Sequence, residues 1–230
     1  MKKSHLPFHF FWTTEAGLTG VLVFLVLFLV ASVLLDEYDF FKIFSLFFLS
    51  LFFLSGVLSI SAHPLARLVF GGLVLAALGF VWGDYFFPAM GLRTGRILAG
   101  MLSIGFLAVM LLRLVFYEGA ITYHRICGAI AIYLLIAWIW SNIYLLTLRF
   151  NPGAIELPPG VMSGSFEGLE ATMFYFSVVT LTTLGYGDIV PVSSGARLAV
   201  MLEAFFGQLY PAIMLAWLVS MEILSRSQKR

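Results

Sequence analysis

The sequence predicts an all-α membrane protein: six transmembrane helices, with a re-entrant helix and a glycine-rich loop between the fifth and the sixth. Three observations predict it. Hydrophobic residues make up 61% of the 230-residue chain and charged residues only 11%, whereas a soluble domain carries about a quarter charged residues. Mean hydropathy is +1.02. Six apolar runs have the roughly 18 to 25 residues needed to cross a hydrocarbon core about 30 Å thick. Between the fifth run and the sixth, the segment from Arg149 to Ser193 is neither a clean span nor an ordinary loop.

The first run covers about Gly17 to Leu35 and the second about Phe40 to Ile60. The third covers about Leu65 to Trp82, the fourth about Gly95 to Phe116, the fifth about Tyr123 to Leu148 and the sixth about Ser194 to Leu224. An acidic turn, Asp36-Glu37-Tyr38-Asp39, separates the first two, and His63-Pro64 the next two. Gly83 to Thr94 connects the third to the fourth, and Glu118-Gly119 breaks the run between the fourth and fifth. The basic N-terminus leads into a run too long for a signal peptide and without a small-residue cleavage site, so it reads as a retained span. The lone Cys127 excludes an internal disulfide and a cysteine metal site, and its apolar surroundings make it a packing residue. A net charge of +1 gives a nucleic-acid partner no support.

Cationic residues set an orientation. With the N-terminus inside, the cytoplasmic side receives Lys2, Lys3, Arg67, Arg113, Arg125, Arg226, Lys229 and Arg230. The outer side receives Lys42, Arg93, Arg96, Arg149 and Arg197, a smaller share of the 13 lysines and arginines. Both termini are therefore expected in the cytoplasm and the segment before the sixth helix outside.

That segment carries the chemistry. From Phe166 the pattern suits a short helix, with Ser165 as its cap and Glu167 and Glu170 in the first turn, where the helix dipole favours negative charge. Its apolar body, Ala171 to Leu181, is far too short to span. The heptamer Thr182-Thr183-Leu184-Gly185-Tyr186-Gly187-Asp188 follows. Non-helical backbone survives at membrane depth only where protein buries it or it lines water. Four T-x-G-Y-G loops around an axis aim their carbonyls inward and replace the hydration shell of a potassium ion. The candidate K+-binding residues are thus Thr183, Leu184, Gly185, Tyr186 and Gly187, with Thr182 as support and Asp188 adding negative charge at the outer mouth. Gly185 and Gly187 allow backbone angles that a Cβ resists. Tyr186 is expected to point outward and brace the loop. The bland alternative is a glycine-rich turn between two apolar helices.

The stretch from Phe174 to Asp188, FYFSVVTLTTLGYGD, resembles the signature of the tetrameric potassium channel superfamily. The resemblance covers about Tyr123 to Leu224 and implies an outer helix, pore helix, filter and inner helix. It also implies a homotetramer, because one chain carries one filter and the carbonyl cage needs four. Leu184 departs from the usual valine or isoleucine, but only its carbonyl is required. Tyr175 and Phe176 stand where the family often has tryptophans forming an aromatic cuff. Gly207 lies 20 residues past Gly187 and matches the family's gating glycine. A mid-helix glycine costs about 1 kcal/mol relative to alanine, so Gly207 marks either bending or close packing. Pro211, one turn on, predicts a kink. Gln208 either faces the cavity or bonds to a neighbouring helix. Glu203 is an acid inside a span, at a cost of about 2.5 to 3.5 kcal/mol. Either it accepts hydrogen bonds behind the pore helix and supports the filter, or it reaches water at the outer interface. Asn142 reads as interhelical glue.

The chain therefore divides into residues 1–122, a four-helix transmembrane domain, and residues 123–230, a pore domain. Voltage sensing needs three or four arginines per subunit inside the field. Here Arg93 and Arg96 stand at the start of the fourth span, Arg113 at its end, and nothing charged lies between. The first three spans offer no buried acids to pair with a ladder. Histidines 5, 9, 63 and 124 fall near span ends, where such residues are commonly incidental.

The implied function is a K+-selective channel conducting passively, without catalysis or cofactor, with K+ at the filter as its only metal. Alternatives are a voltage-gated channel with a degenerate sensor, a transporter component or a non-conducting modulatory subunit. No metal-spaced His/Glu pair, nucleophile motif or cofactor loop supports an enzyme. The expected setting is a lipid bilayer, the inner membrane of a prokaryote. About six residues follow the sixth helix, so no soluble ligand domain is expected on this chain.

Overall fold

The structure, a computed structural model, describes residues 15–34, 50, 64–87, 90–116, 122–161 and 166–227. Its helices are α1 (Glu15–Leu34), α2 (Pro64–Phe86), α3 (Met90–Val115), α4 (Tyr123–Phe150), α5 (Phe166–Leu181) and α6 (Ser194–Ser227). Two short strands, β1 (Ile155–Glu156) and β2 (Val190–Pro191), flank α5. Among the described residues four stretches are long and apolar enough to cross a membrane: Leu68–Phe86, Gly91–Val115, Tyr123–Phe150 and Ser194–Met221. Helix α1 spans 20 residues and is apolar from Gly17 onward. The second expected span, the acidic turn after the first, Glu118-Gly119, Ser165 and the side chain of Glu167 lie outside the described residues.

Two compact units divide the chain, residues 1–117 with 122–132 and residues 118–121 with 133–230. The boundary falls within α4.

In the first unit α2 and α3 form an antiparallel hairpin around Phe70, Val74, Ile97, Ile104, Leu107 and Leu111, all buried. Phe70 stacks on Phe106 with ring centroids 5.0 Å apart. Helix α2 runs through Gly83 and Asp84 to Phe86, so the connection to α3 is shorter than the expected Gly83 to Thr94. Asp84 is buried in the last turn of α2, 3.4 Å from Arg93 Nε and 3.6 Å from Arg96 Nη1 in the first turns of α3. An acid at a helix C-terminus and bases at a helix N-terminus each oppose the local dipole. Their mutual attraction across the hairpin offsets both. This corrects the expectation that the first three spans hold no buried acid, for α2 continues past the predicted end at Trp82. Elsewhere in the unit, Thr19 Oγ1 on α1 meets His124 Nδ1 on α4 at 2.7 Å.

In the second unit the segment between α4 and α6 is tied at both ends. β1 and β2 pair antiparallel, Ile155 opposite Pro191 and Glu156 opposite Val190. The N–H groups of Val192 and Ser193 both donate to Ala154 O, at 2.9 and 3.1 Å. Ser193 then caps α6, its Oγ accepting from the N–H of Ala196 at 3.2 Å. Helix α6 runs 34 residues and continues past Pro211. Its buried residues are Ala196, Glu203, Gly207 and Met214, a spacing of seven, four and seven that keeps one face inward. Leu198, Met201, Leu202, Phe205, Phe206, Leu209 and Ile213 remain exposed in the single chain.

Candidate functional site

The heptamer leaves α5 by folding back under the last carbonyls of that helix. Thr182 N–H donates to Val178 O at 3.0 Å and Thr183 N–H to Thr180 O at 2.9 Å. The N–H groups of Leu184 and Gly185 both reach Val179 O, at 2.9 and 3.3 Å. The Thr182 hydroxyl donates to Val178 O at 2.7 Å. These bonds satisfy the carbonyls a helix end leaves open, and they set where the irregular backbone begins.

That backbone then alternates. φ is +58° at Thr183, +59° at Gly185 and +80° at Gly187, every second residue. An extended strand points successive carbonyls to opposite sides. Inserting a left-handed residue at every second position turns the peptide planes so that successive carbonyls share a side. Two of the three positions are glycine, which enters this region without a Cβ penalty. The third is Thr183, the only non-glycine residue with positive φ among the described residues. A β-branched residue there stores roughly 1–2 kcal/mol of strain, and such strain persists only where neighbours over-determine it. One neighbour is Gln208 on α6, whose Nε2 donates to Thr183 Oγ1 at 3.1 Å. The structure thus brings Gln208 to the inner end of the heptamer. At the other end Tyr175 donates to Asp188 Oδ2 at 2.9 Å, so the residue at the cuff position ties α5 to the last residue of the loop. The side chains of Leu184 and Tyr186 are exposed in the single chain.

Behind the loop, three helices meet through polar atoms. Glu203 is completely buried. Its Oε2 accepts from the Tyr144 hydroxyl of α4, and its Oε1 lies in hydrogen-bond contact with Ser177 Oγ of α5. Ser177 Oγ is also 2.7 Å from Ala137 O on α4. Tyr144 packs its ring on Phe176 with centroids 4.9 Å apart.

One turn further along α6, Gly207 touches the end of α5. A Cβ at this position would collide with the carbonyl of Leu181, standing 2.8 Å from its carbon. Close packing is therefore a sufficient reason for the glycine. Pro211 lacks the N–H that would bond Gly207 O four residues back. The Tyr133 hydroxyl stands beside both carbonyls, 3.0 Å from Leu181 O and 3.5 Å from Gly207 O, with its ring stacked on Tyr210 at 5.8 Å. Asn142, read as interhelical glue, instead donates from Nδ2 to Trp138 O of its own helix at 2.7 Å. A side-chain amide can bond back to the carbonyl four residues earlier in its own helix.

Tyr133 and Tyr144 carried no motif, and Ser177, although inside the stretch from Phe174 to Asp188, carried no role there. Pro211 held a usable clue to the first, because a mid-helix proline always frees the carbonyl four residues before it. No comparable clue pointed to Tyr144 or Ser177.

Residues 128–222 match a family model described as ion channel. The chain is 48% identical over 62 residues to the voltage-gated potassium channel Kch of Escherichia coli (strain K12), covering 26% of this chain and 14% of that protein. It is 46% identical over 46 residues to two pore potassium channel b of Oryza sativa subsp. japonica, covering 20% of this chain and 13% of that one. The chain thus spans a small part of the length of the curated relatives it matches. No solved structure matches it. The likeness to ion channels, together with four apolar helices of spanning length, marks this chain as an integral membrane protein whose residues 128–222, from α4 through the heptamer into α6, are similar to ion channels.

Proposed function

We propose that this chain is the subunit of a K+-selective channel, four copies of which line one axis with the carbonyls of Thr183, Leu184, Gly185, Tyr186 and Gly187. The observation that carries the reading is the left-handed backbone at 183, 185 and 187 inside TTLGYGD. Carbonyls sharing one side are what a dehydrated cation needs from each of four chains. The Thr183 hydroxyl forms the inner step of the cage, and Asp188 concentrates cations at the outer mouth. The exposed apolar face of α6 supports assembly, since neighbouring copies and lipid would cover it. Gln208 then brings four amides to the inner entrance.

In this reading the channel is not steeply voltage-gated. Each charge crossing the field supplies about 2.3 kcal/mol per 100 mV, and steep gating needs several per subunit. Arg93 and Arg96 are engaged with Asp84 beside the hairpin turn, and no charged residue follows until Arg113. The word voltage-gated belongs to the printed name of the bacterial relative. The filter faces outward and both termini face the cytoplasm of a prokaryotic cell, following the cation asymmetry.

A planar-bilayer recording of purified protein with K+ on one side and Na+ on the other tests this. The expected reversal potential lies near the K+ limit, with a shallow response across the voltage range. A reversal near zero would remove K+ selectivity. Steep opening would replace this reading with a degenerate but working sensor, and silence from an intact tetramer would replace it with a non-conducting subunit.

A further inference from the structure

Ser177 has one hydroxyl hydrogen and two oxygens competing for it. Its Oγ lies 2.7 Å from Ala137 O and in hydrogen-bond contact with Glu203 Oε1. A hydroxyl donates once. Were Glu203 a carboxylate, both neighbours would be acceptors, and one of these close oxygen pairs would have no hydrogen between its members. The other oxygen of Glu203 is met by Tyr144, again through a single hydrogen. Glu203, Ser177 and Tyr144 are all completely buried, so solvent reaches none of them. Among the described residues no cation stands within ion-pair distance of Glu203. An ionised acid buried without a cation is costly, and a hydrogen-bonded neutral one far less so.

We propose that Glu203 is held as the neutral carboxylic acid and donates the hydrogen that starts a buried relay: Glu203 to Ser177, Ser177 to Ala137 O, with Tyr144 donating to the second oxygen of Glu203. In this arrangement every hydrogen has one acceptor and no close oxygen pair is left empty. The relay joins α6, α5 and α4. It acts at Ser177, directly before Val178 and Val179, whose carbonyls receive the N–H groups of Thr182, Leu184 and Gly185. Glu203 is thus a positioning residue for the loop, acting through Ser177 and the last turn of α5.

Two measurements on the full chain in lipid test this. Infrared spectra of wild type and Glu203→Gln at neutral pH should differ by the C=O stretch of an un-ionised carboxyl, present in the wild type and missing in the variant. A difference confined to carboxylate bands would overturn the proposal. The second measurement is K+ flux into proteoliposomes, and this arm rests on the channel reading. Glu203→Ala should reduce flux about tenfold by leaving the Ser177 oxygen without its donor and the Tyr144 hydroxyl without its acceptor. Glu203→Gln, whose amide donates to Ser177 and whose carbonyl accepts from Tyr144, should rescue most of that loss. Glutamine as damaging as alanine would mean that the negative charge is what matters, and the proposal would fail. Should the wild type pass no K+, the channel reading falls while the infrared difference still decides where the proton is.

Discussion

The two compact units handle polar atoms differently. In the first, Asp84 meets Arg93 and Arg96 at the α2–α3 turn, and Thr19 meets His124 near the starts of α1 and α4. Among its described residues most buried side chains are apolar, Asp84, Ser103 and Arg125 being polar exceptions, and the buried Ser103 hydroxyl closes on Ala99 O of its own helix. In the second unit, polar groups stand in the middle of helices and bond across them, as Tyr133, Tyr144, Ser177 and Glu203 do. Lipid gives apolar helices little reason to choose one apolar neighbour over another, so close packing and interhelical hydrogen bonds decide. A unit cross-linked at mid-helix holds one geometry, which is what a strained loop beside it requires.

The sharpest way to break this comparison is Gly207→Ala. The neighbour in the way is the Leu181 backbone, which cannot rotate aside as a side-chain tip can. Overpacking costs about 1–3 kcal/mol, and a collision with backbone belongs at the upper end. Displacing Leu181 also displaces the carbonyls that hold the heptamer. Thermal unfolding in detergent should show the loss, and K+ flux should fall with it. Wild-type melting would mean that α5 and α6 can slide apart freely and that the second unit is not the rigid one.

Next in size is Asp84→Ala. It removes the acid between two arginines, one of them largely buried at 15% side-chain exposure and the other more open at 44%. Solvent around Arg93 tempers the effect, so the expected destabilisation is about 1–2 kcal/mol rather than the larger figure for a fully buried pair. The reversal potential under a K+/Na+ gradient should stay where it was. A shift in that potential would show that the first unit takes part in setting selectivity.

How much was legible in the sequence follows the same division. Spans three to six emerged from apolar run length alone, because crossing a hydrocarbon core is a requirement on composition. Their ends were misjudged wherever a charge found a partner: α2 was cut at Trp82, although Asp84 continues it by pairing with Arg93 and Arg96. The heptamer was readable because its glycines fall on the positions that need positive φ. That Thr183 shares that conformation was not readable, since nothing local favours it; the bond from Gln208, 25 residues later, is long-range. Glu203 announced itself as an acid in an apolar helix, but its partners did not. Serine and tyrosine are ordinary in spanning helices, and only the packing of three helices singles out Ser177 and Tyr144. The short β1–β2 pair was likewise invisible, being two residues long on each side.

The smallest effect separates two uses of one hydrogen. Tyr133 lies nearer Leu181 O, at 3.0 Å, than Gly207 O, at 3.5 Å. Its single proton should therefore serve Leu181, at the junction between α5 and the heptamer, and leave Gly207 O weakly bound. Tyr133→Phe should cost about 1 kcal/mol, the usual net value of one hydrogen bond. Pro211→Ala restores the N–H that Gly207 O lacks, so it offers a control within the same turn. If the Tyr133 hydrogen belongs to Leu181, the two substitutions act on different carbonyls and their effects on unfolding should add. If Pro211→Ala instead cancels the loss from Tyr133→Phe, the tyrosine is there to satisfy the carbonyl that proline exposes. A double-mutant cycle resolves a coupling of that size. In that case Tyr133 and Pro211 would be one device, a helix break and its repair, rather than part of the bracing of α5.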